Sequence, residues 1–234
     1  MGTCLILFHF RYFISNKPTP FRAVAGVLRM ASKYMVAPLQ EKAINHLCRI
    51  YPTRFEDMRP DHKALRSEVF GSDSDAPEHP ILLLNLVRSY QVTKLLPWAY
   101  YAVVRWSFRD MVTGHTCSDG SVARLSSEDM KICLLGFDAL LTIQHTNNKQ
   151  LFLGPVPKCQ SWSSCSGISD AYTRSLDEHG TGLVAPLSPL RRAVTACDLC
   201  LVSIKKLDLE KRKEVWQQLP SIFGLPPWSE ILVS

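Results

Sequence analysis

Four of the chain's eight cysteines have a spacing that could do chemistry. Cys197-Asp198-Leu199-Cys200 sets two thiols two residues apart, a gap that lets two thiolates chelate one metal ion. Cys159 and Cys165 lie upstream, in a Pro-, Ser- and Cys-containing stretch from Gly154 to Gly167. Cys159, Cys165, Cys197 and Cys200 together would supply the four sulfur ligands that suit one structural zinc ion, with Zn–S near ~2.3 Å. All coordination positions would then be filled by protein, leaving none for a catalytic water. The alternative is chemically bland. The first gap, five residues, is wider than usual for a zinc pair, and a Cys-x-x-Cys on a helix also suits two ordinary buried thiols.

Other chemistry-bearing patterns lack their context. The acids Glu68, Asp73, Asp75 and Glu78 miss the spacing and closing Glu of a calcium loop. His115-Thr116-Cys117 has no second ligand pair beside it. Gly180-Thr181-Gly182 mimics a dinucleotide fingerprint, but a charged helical segment precedes it and Pro186 follows closely. Neither a His-Glu-x-x-His, a Gly-x-Ser-x-Gly, a phosphate loop nor a kinase set occurs. No enzymatic activity, small-molecule substrate or further cofactor is expected.

The elements that must position the cysteines read as helices. Val24, Val27, Leu28 and Ala31 fall on one face of a 3.6-residue period. A second stripe, Leu39, Ala43, Ile44, Leu47 and Ile50, begins beside Pro38, which suits a first helical turn. Asp61 to Glu78 is largely polar and reads as a connector. His79-Pro80 opens an apolar helix through Val87, and Pro97 falls in the first turn of the next. Leu83, Leu86, Leu95, Trp98 and Tyr101 are expected in the core. Gly114 to Ala123 reads as a loop. A helix capped by Ser126 or Ser127 then runs through Cys133, Leu134, Phe137, Leu140 and Leu141 and ends at Asn147-Asn148-Lys149. Ile168 to Glu178 looks helical, and Leu190–Lys206 and Leu207–Leu219 make the final helices. The fold class is mostly α: an irregular bundle of helix pairs with long loops, any stray strand lying near the N-terminus.

With 46% apolar and 21% charged residues, neither a disordered chain nor a membrane protein is favoured. The apolar run Cys4 to Phe8 is too short to span a bilayer and lacks signal-peptide flanks. Eight cysteines are too few for a disulfide scaffold and there is no Asn-x-Ser/Thr sequon, so a reducing compartment, cytoplasm or nucleus, is expected. The +6 net charge is spread thinly. Lys205, Lys206, Lys211, Arg212 and Lys213 alternate with Asp208, Glu210 and Glu214, which suits a solvated helix face better than a nucleic-acid surface.

Several blocks carry a resemblance. VLRMASKY from Val27 to Tyr34, LQEKAINHL from Leu39 to Leu47 and the exit Tyr51-Pro52-Thr53 resemble the end of a BTB/POZ domain in fungal BTB/POZ domain-containing proteins. The likeness continues at His79–Arg88, at Leu95–Tyr101 and at the tail from Trp216 through Leu219-Pro220 and Phe223-Gly224-Leu225-Pro226-Pro227 to Trp228. A complete BTB domain places a region of mixed sheet and helix ahead of this motif, whereas only twenty residues precede Phe21. The resemblance therefore implies a stub at 1–20, terminal BTB-like helices at 21–58, a connector at 59–78 and a helical C-terminal domain at 79–234. It also implies protein partners, with a cullin-type ubiquitin ligase among them, and a cysteine pair before one helix followed by a Cys-x-x-Cys before the tail. The function expected is a non-catalytic protein–protein interaction module. Two alternatives stay open: a zinc-stabilised nuclear helical domain with weak DNA binding, and a truncated copy without independent function.

Overall fold

The computed structural model describes residues 17–58, 62–71, 79–117, 119–153, 159, 165, 168, 185–189 and 196–233, with side chains in the second stretch from residue 65 onward. The chain is mostly α. Its helices are α1 (Phe21–Lys33), α2 (Ala37–Cys48), α3 (His62–Phe70), α4 (Pro80–Ser89), α5 (Leu96–Val104), α6 (Phe108–Thr113), α7 (Ser127–Leu153), α8 (Asp198–Ile222) and α9 (Trp228–Ile231). Among the described residues the strands are β1 (His115–Thr116) and β2 (Val122–Ala123), an antiparallel pair with His115 opposite Ala123. They sit in the segment expected as a loop rather than near the N-terminus. The expected N-terminal stub lies outside the described residues apart from its last four positions, Lys17 to Pro20.

The described residues divide into two compact units. One runs to Ala99 and adds His115–Ala123 and the residues from Ser229; the other holds Tyr100–Gly114 and Arg124–Trp228. In the first unit, Val24, Val27, Leu28 and Ala31 of α1 are buried, as are Leu39, Ala43 and Leu47 of α2, which packs on α1. Each Val or Leu among them stabilises by roughly 1.5–3 kcal/mol when removed from water, a gain that neither helix has alone.

The polar stretch expected as a connector contains α3. Its sequence hides the helix because the apolar anchors, Val69 and Phe70, come only at the end. Both are buried, and the Val69 carbonyl accepts from the Thr19 backbone N–H at 2.9 Å and from His46 Nε2 of α2 at 3.1 Å. Phe70 meets Phe21 edge-on, with centroids 5.9 Å apart, and lies against Tyr51. α4 belongs with these helices, although the sequence placed it in the C-terminal domain.

α1 and α4 end in the same motif. The N–H of Val36 bonds to the Ala31 carbonyl at 2.8 Å, and Met35 bonds back to Ser32. Val92 likewise bonds to Val87 at 2.9 Å, and Gln91 to Arg88. These are Schellman caps, which need a left-handed residue at the first position past the cap. Met35 (φ 54°) and Gln91 (φ 53°) occupy that position without being glycine, whereas α8 ends on the same motif with Gly224 at φ 65°.

In the second unit Ser126 caps α7, accepting from the Asp129 N–H at 3.0 Å while its hydroxyl donates to the Asp129 carboxylate. Tyr100 donates to the same carboxylate, which satisfies a buried acid from two directions. α7 runs on to Leu153, past the polar residues expected to end it, because Leu151 and Phe152 are buried beyond them. α7 packs on α8. Gly136 makes room for the chain that leaves α8, since a Cβ there would run into the Phe223 ring.

α8 is one continuous helix where two were expected. Ile204 and Asp208, one turn apart on either side of the anticipated break, are both buried, and Asp208 pairs with Arg212 at 2.9 Å. Pro220, in the last turn, has no N–H to give the Trp216 carbonyl. Trp228 supplies a donor instead: its indole N–H reaches that carbonyl at 2.8 Å while its ring stacks on Trp216, centroids 5.0 Å apart. The expected core residues Leu83, Leu86, Leu95, Trp98 and Tyr101 are all buried.

Two substitutions check this reading. Met35 is 88% exposed, so Met35→Gly removes left-handed strain of about 1–2 kcal/mol without losing packing. After glycine's entropic cost, the net gain should be about 0.5–1 kcal/mol, read as a higher urea midpoint with an unchanged slope. Trp228→Phe keeps a stacking ring but removes the indole donor, and should destabilise by about 1–3 kcal/mol in the same titration.

Candidate metal centre

The chain brings Cys159, Cys165, Cys197 and Cys200 together, with all four sulfur atoms within 4.8 Å of one another. Cys159 Sγ lies 3.7 Å from Cys165 Sγ, and Cys165 Sγ lies 3.8 Å from Cys200 Sγ. These separations are too long for disulfide bonds. They match the edge of a tetrahedron of sulfurs around one ion, about 3.8 Å for metal–sulfur bonds of about 2.3 Å. Among the described residues this is the one cluster of metal-ligating side chains of its kind.

The start of α8 positions half the set. Cys197 is the N-cap residue, with extended backbone, and Cys200 lies in the first turn. Helix N-termini present free N–H groups and partial positive charge, which favour thiolates. The Cys197 N–H points to Cys165 Sγ at 3.3 Å, so the second pair is tied to the same helix end through the backbone as well. Cys165 and Cys200 are buried, while Cys159 and Cys197 are half-buried. Around the sulfurs lies an apolar shell of Leu151 and Phe152 from the end of α7, Ile168, and Ile204 from α8, with Leu201 and Leu207 packed against it.

The four thiols are electrostatically unequal. The Cys200 N–H and then the Cys200 thiol lower Cys197 to about 7, although the N–H approach falls short of a full cap bond. Burial, then the neighbouring Cys159, pushes Cys200 well up. The Cys197 N–H pulls Cys165 down, but burial and the Cys159 and Cys197 thiols outweigh it and the net shift is upward. Outside the cluster, Cys133 is an inert buried thiol, raised to about 12 by burial and then by the Asp129 charge.

All four cysteines were legible from type and spacing. The shell around them was not, because Leu151 and Phe152 lie beyond a polar run and Ile168 stands apart in sequence. One signal existed: Cys197, Cys200, Ile204 and Leu207 fall on a single helical stripe. His115 and Cys117 do not join a ligand cluster among the described residues; His115 stacks on His79, centroids 4.1 Å apart. The Gly180 segment and most of the Ile168–Glu178 helix expected from sequence lie outside the described residues. Comparison with known proteins finds no matching family model, curated protein or solved structure.

The inequality of the thiols has a measurable sign. A lowered pKa means that Cys197 is ionised at pH values where an ordinary thiol is still protonated. In reduced, metal-free chain, its alkylation by iodoacetamide should rise with a midpoint near pH 7, while Cys200 stays protected well above that. Peptide mass mapping across a pH series reads both.

Proposed function

We propose that this chain is a non-catalytic, helical protein-interaction module whose second unit is fastened by one structural zinc ion at Cys159, Cys165, Cys197 and Cys200. The observation that carries the zinc reading is the gathering of four sulfurs within 4.8 Å at a helix N-terminus, two of their separations being 3.7 and 3.8 Å. Zinc suits an all-sulfur tetrahedral set, and a four-thiolate shell has no position for substrate or water, so the role is structural. Metal at this point would tie Cys159 and Cys165 to the start of α8, beside the bond from the Cys197 N–H to Cys165 Sγ. Such a centre needs reduced thiols, which fits the cytoplasm or nucleus. No helix among the described residues is long and apolar enough to cross a membrane.

The interaction reading draws on the first unit. Tyr34 and Met35 are 46% and 88% exposed at the α1–α2 turn, an unusual place to leave large apolar side chains in water. Beside them lies an open recess of about 360 Å³, lined by Ser32, Met35, Ala37, Gln40, Ser89, Tyr90 and Gln91. Both left-handed helix ends, at Met35 and Gln91, border it. Together with the BTB/POZ resemblance of VLRMASKY and LQEKAINHL, this favours a protein partner, a cullin-type ligase scaffold being the first to try. On α8, Lys211 pairs with Glu214 and Arg212 with Asp208, which lowers the charge left for a nucleic acid.

Metal analysis tests the zinc half. Chain purified without chelator should carry one zinc per molecule, and Cys200→Ser should lose it together with several degrees of thermal stability. Zinc absent from the reduced wild-type chain contradicts the reading. Titration calorimetry against a purified cullin N-terminal domain tests the partner half: binding weakened at least tenfold by Met35→Asp supports it, and no heat with the wild-type chain contradicts it.

A further inference from the structure

Resting on that zinc reading, we infer that the cysteine centre is also an oxidation site: a hydroperoxide converts it to two local disulfides, Cys159–Cys165 and Cys197–Cys200, and expels the metal. The geometry that points to this is an alternation of accessible and buried sulfur. Cys159 and Cys197 are half-buried, so an oxidant of small size reaches them first, whereas Cys165 and Cys200 are buried behind them. Each accessible thiol has its buried neighbour close in sequence, and the Cys159–Cys165 sulfurs are already 3.7 Å apart. Closing a disulfide from there needs a sulfur shift of under about 2 Å rather than a rearrangement of the chain.

The chemistry balances with the peroxide as the sole oxidant. The Cys159 thiolate attacks one peroxide oxygen; an S–O bond forms, the O–O bond breaks and hydroxide leaves. The resulting sulfenic acid is attacked by the Cys165 thiolate, which forms the S–S bond and expels a second hydroxide. Two electrons pass from the sulfur pair to the peroxide, and two protons from solvent turn the hydroxides into water. A second peroxide does the same at Cys197 and Cys200. A disulfide sulfur is a poor ligand compared with a thiolate, so the divalent ion leaves as the bonds form.

The pairing decides the consequence. Both proposed disulfides lie within one chain segment, so neither replaces the tie that the ion makes between the segment of Cys159 and Cys165 and the start of α8. A Cys165–Cys200 bond, whose sulfurs are 3.8 Å apart, would keep that tie. The sequence separations favour the local pairs, because their loops of five and two intervening residues are already held by the chain. Loss of the tie would loosen Ile168 and Ile204 around the site and expose apolar side chains that now pack against the sulfurs.

The test uses the full chain, purified reduced and with its zinc content measured before any oxidant is added. Hydrogen peroxide is then titrated in while a chromophoric chelator reports released zinc, and disulfides are mapped by mass spectrometry after thiol blocking. The expected result is release of one zinc per two peroxides, with Cys159–Cys165 and Cys197–Cys200 as the mapped bonds. In Cys159→His, which keeps a nitrogen ligand for zinc but removes the first pair, release should need one peroxide per zinc, with Cys197–Cys200 as the mapped bond; Cys117→Ser should leave the two-peroxide stoichiometry unchanged. Retention of zinc while Cys48 or Cys117 oxidises overturns the inference, as does release with Cys165–Cys200 as the main bond. Zinc missing before peroxide is added overturns the metal reading itself, which separates the two failures.

Discussion

Four sulfur atoms crowded within 4.8 Å, two of them out of contact with water, set the constraint on the second unit. As thiols they could pack as small apolar groups. As thiolates they would repel one another strongly in a site with little water to screen them. The N-terminus of α8 eases one negative charge, but not four. A divalent thiophilic ion at their centre would turn the mutual repulsion into shared attraction, and the shell of Leu151, Phe152, Ile168 and Ile204 would keep water from competing for it.

The same helix is fastened at its other end by a different device. α8 spans 25 residues, and a helix of that length carrying a largely charged middle gains little from its own propensity. Its first turn holds Cys197 and Cys200. Its last turn is interrupted by Pro220, and the Trp216 carbonyl there takes the Trp228 indole N–H. Phe223 then fills the space that Gly136 of α7 leaves open and stacks on Tyr100, centroids 5.3 Å apart. Packing at both ends, with Ile204 and the largely buried Asp208–Arg212 pair between, explains why one helix persists where composition suggested two.

What was legible in the sequence was whatever rests on periodic or fixed spacing. The α1 and α2 stripes, the first-turn prolines and the Ser126 cap follow from local geometry that a short window contains. The Cys-x-x-Cys and its upstream pair were legible for the same reason. α3 was hidden because its stability comes from Val69 and Phe70 meeting Phe21, His46 and Tyr51, contacts that no local composition reveals. The C-terminal end of α7 and the continuity of α8 were missed because tertiary burial, of Leu151 and Phe152 in the one and of Ile204 and Asp208 in the other, outweighed polar local sequence. The left-handed Met35 and Gln91 were equally invisible: neither residue type announces a Schellman cap, and only the backbone bonds from Val36 and Val92 expose it.

X-ray absorption at the zinc edge of the reduced chain measures ligand type, number and distance together. The four-cysteine centre predicts four sulfur scatterers at about 2.3 Å and no nitrogen or oxygen in the coordination sphere. A shell dominated by light atoms, or one with only two sulfurs, would contradict a closed centre built from Cys159, Cys165, Cys197 and Cys200.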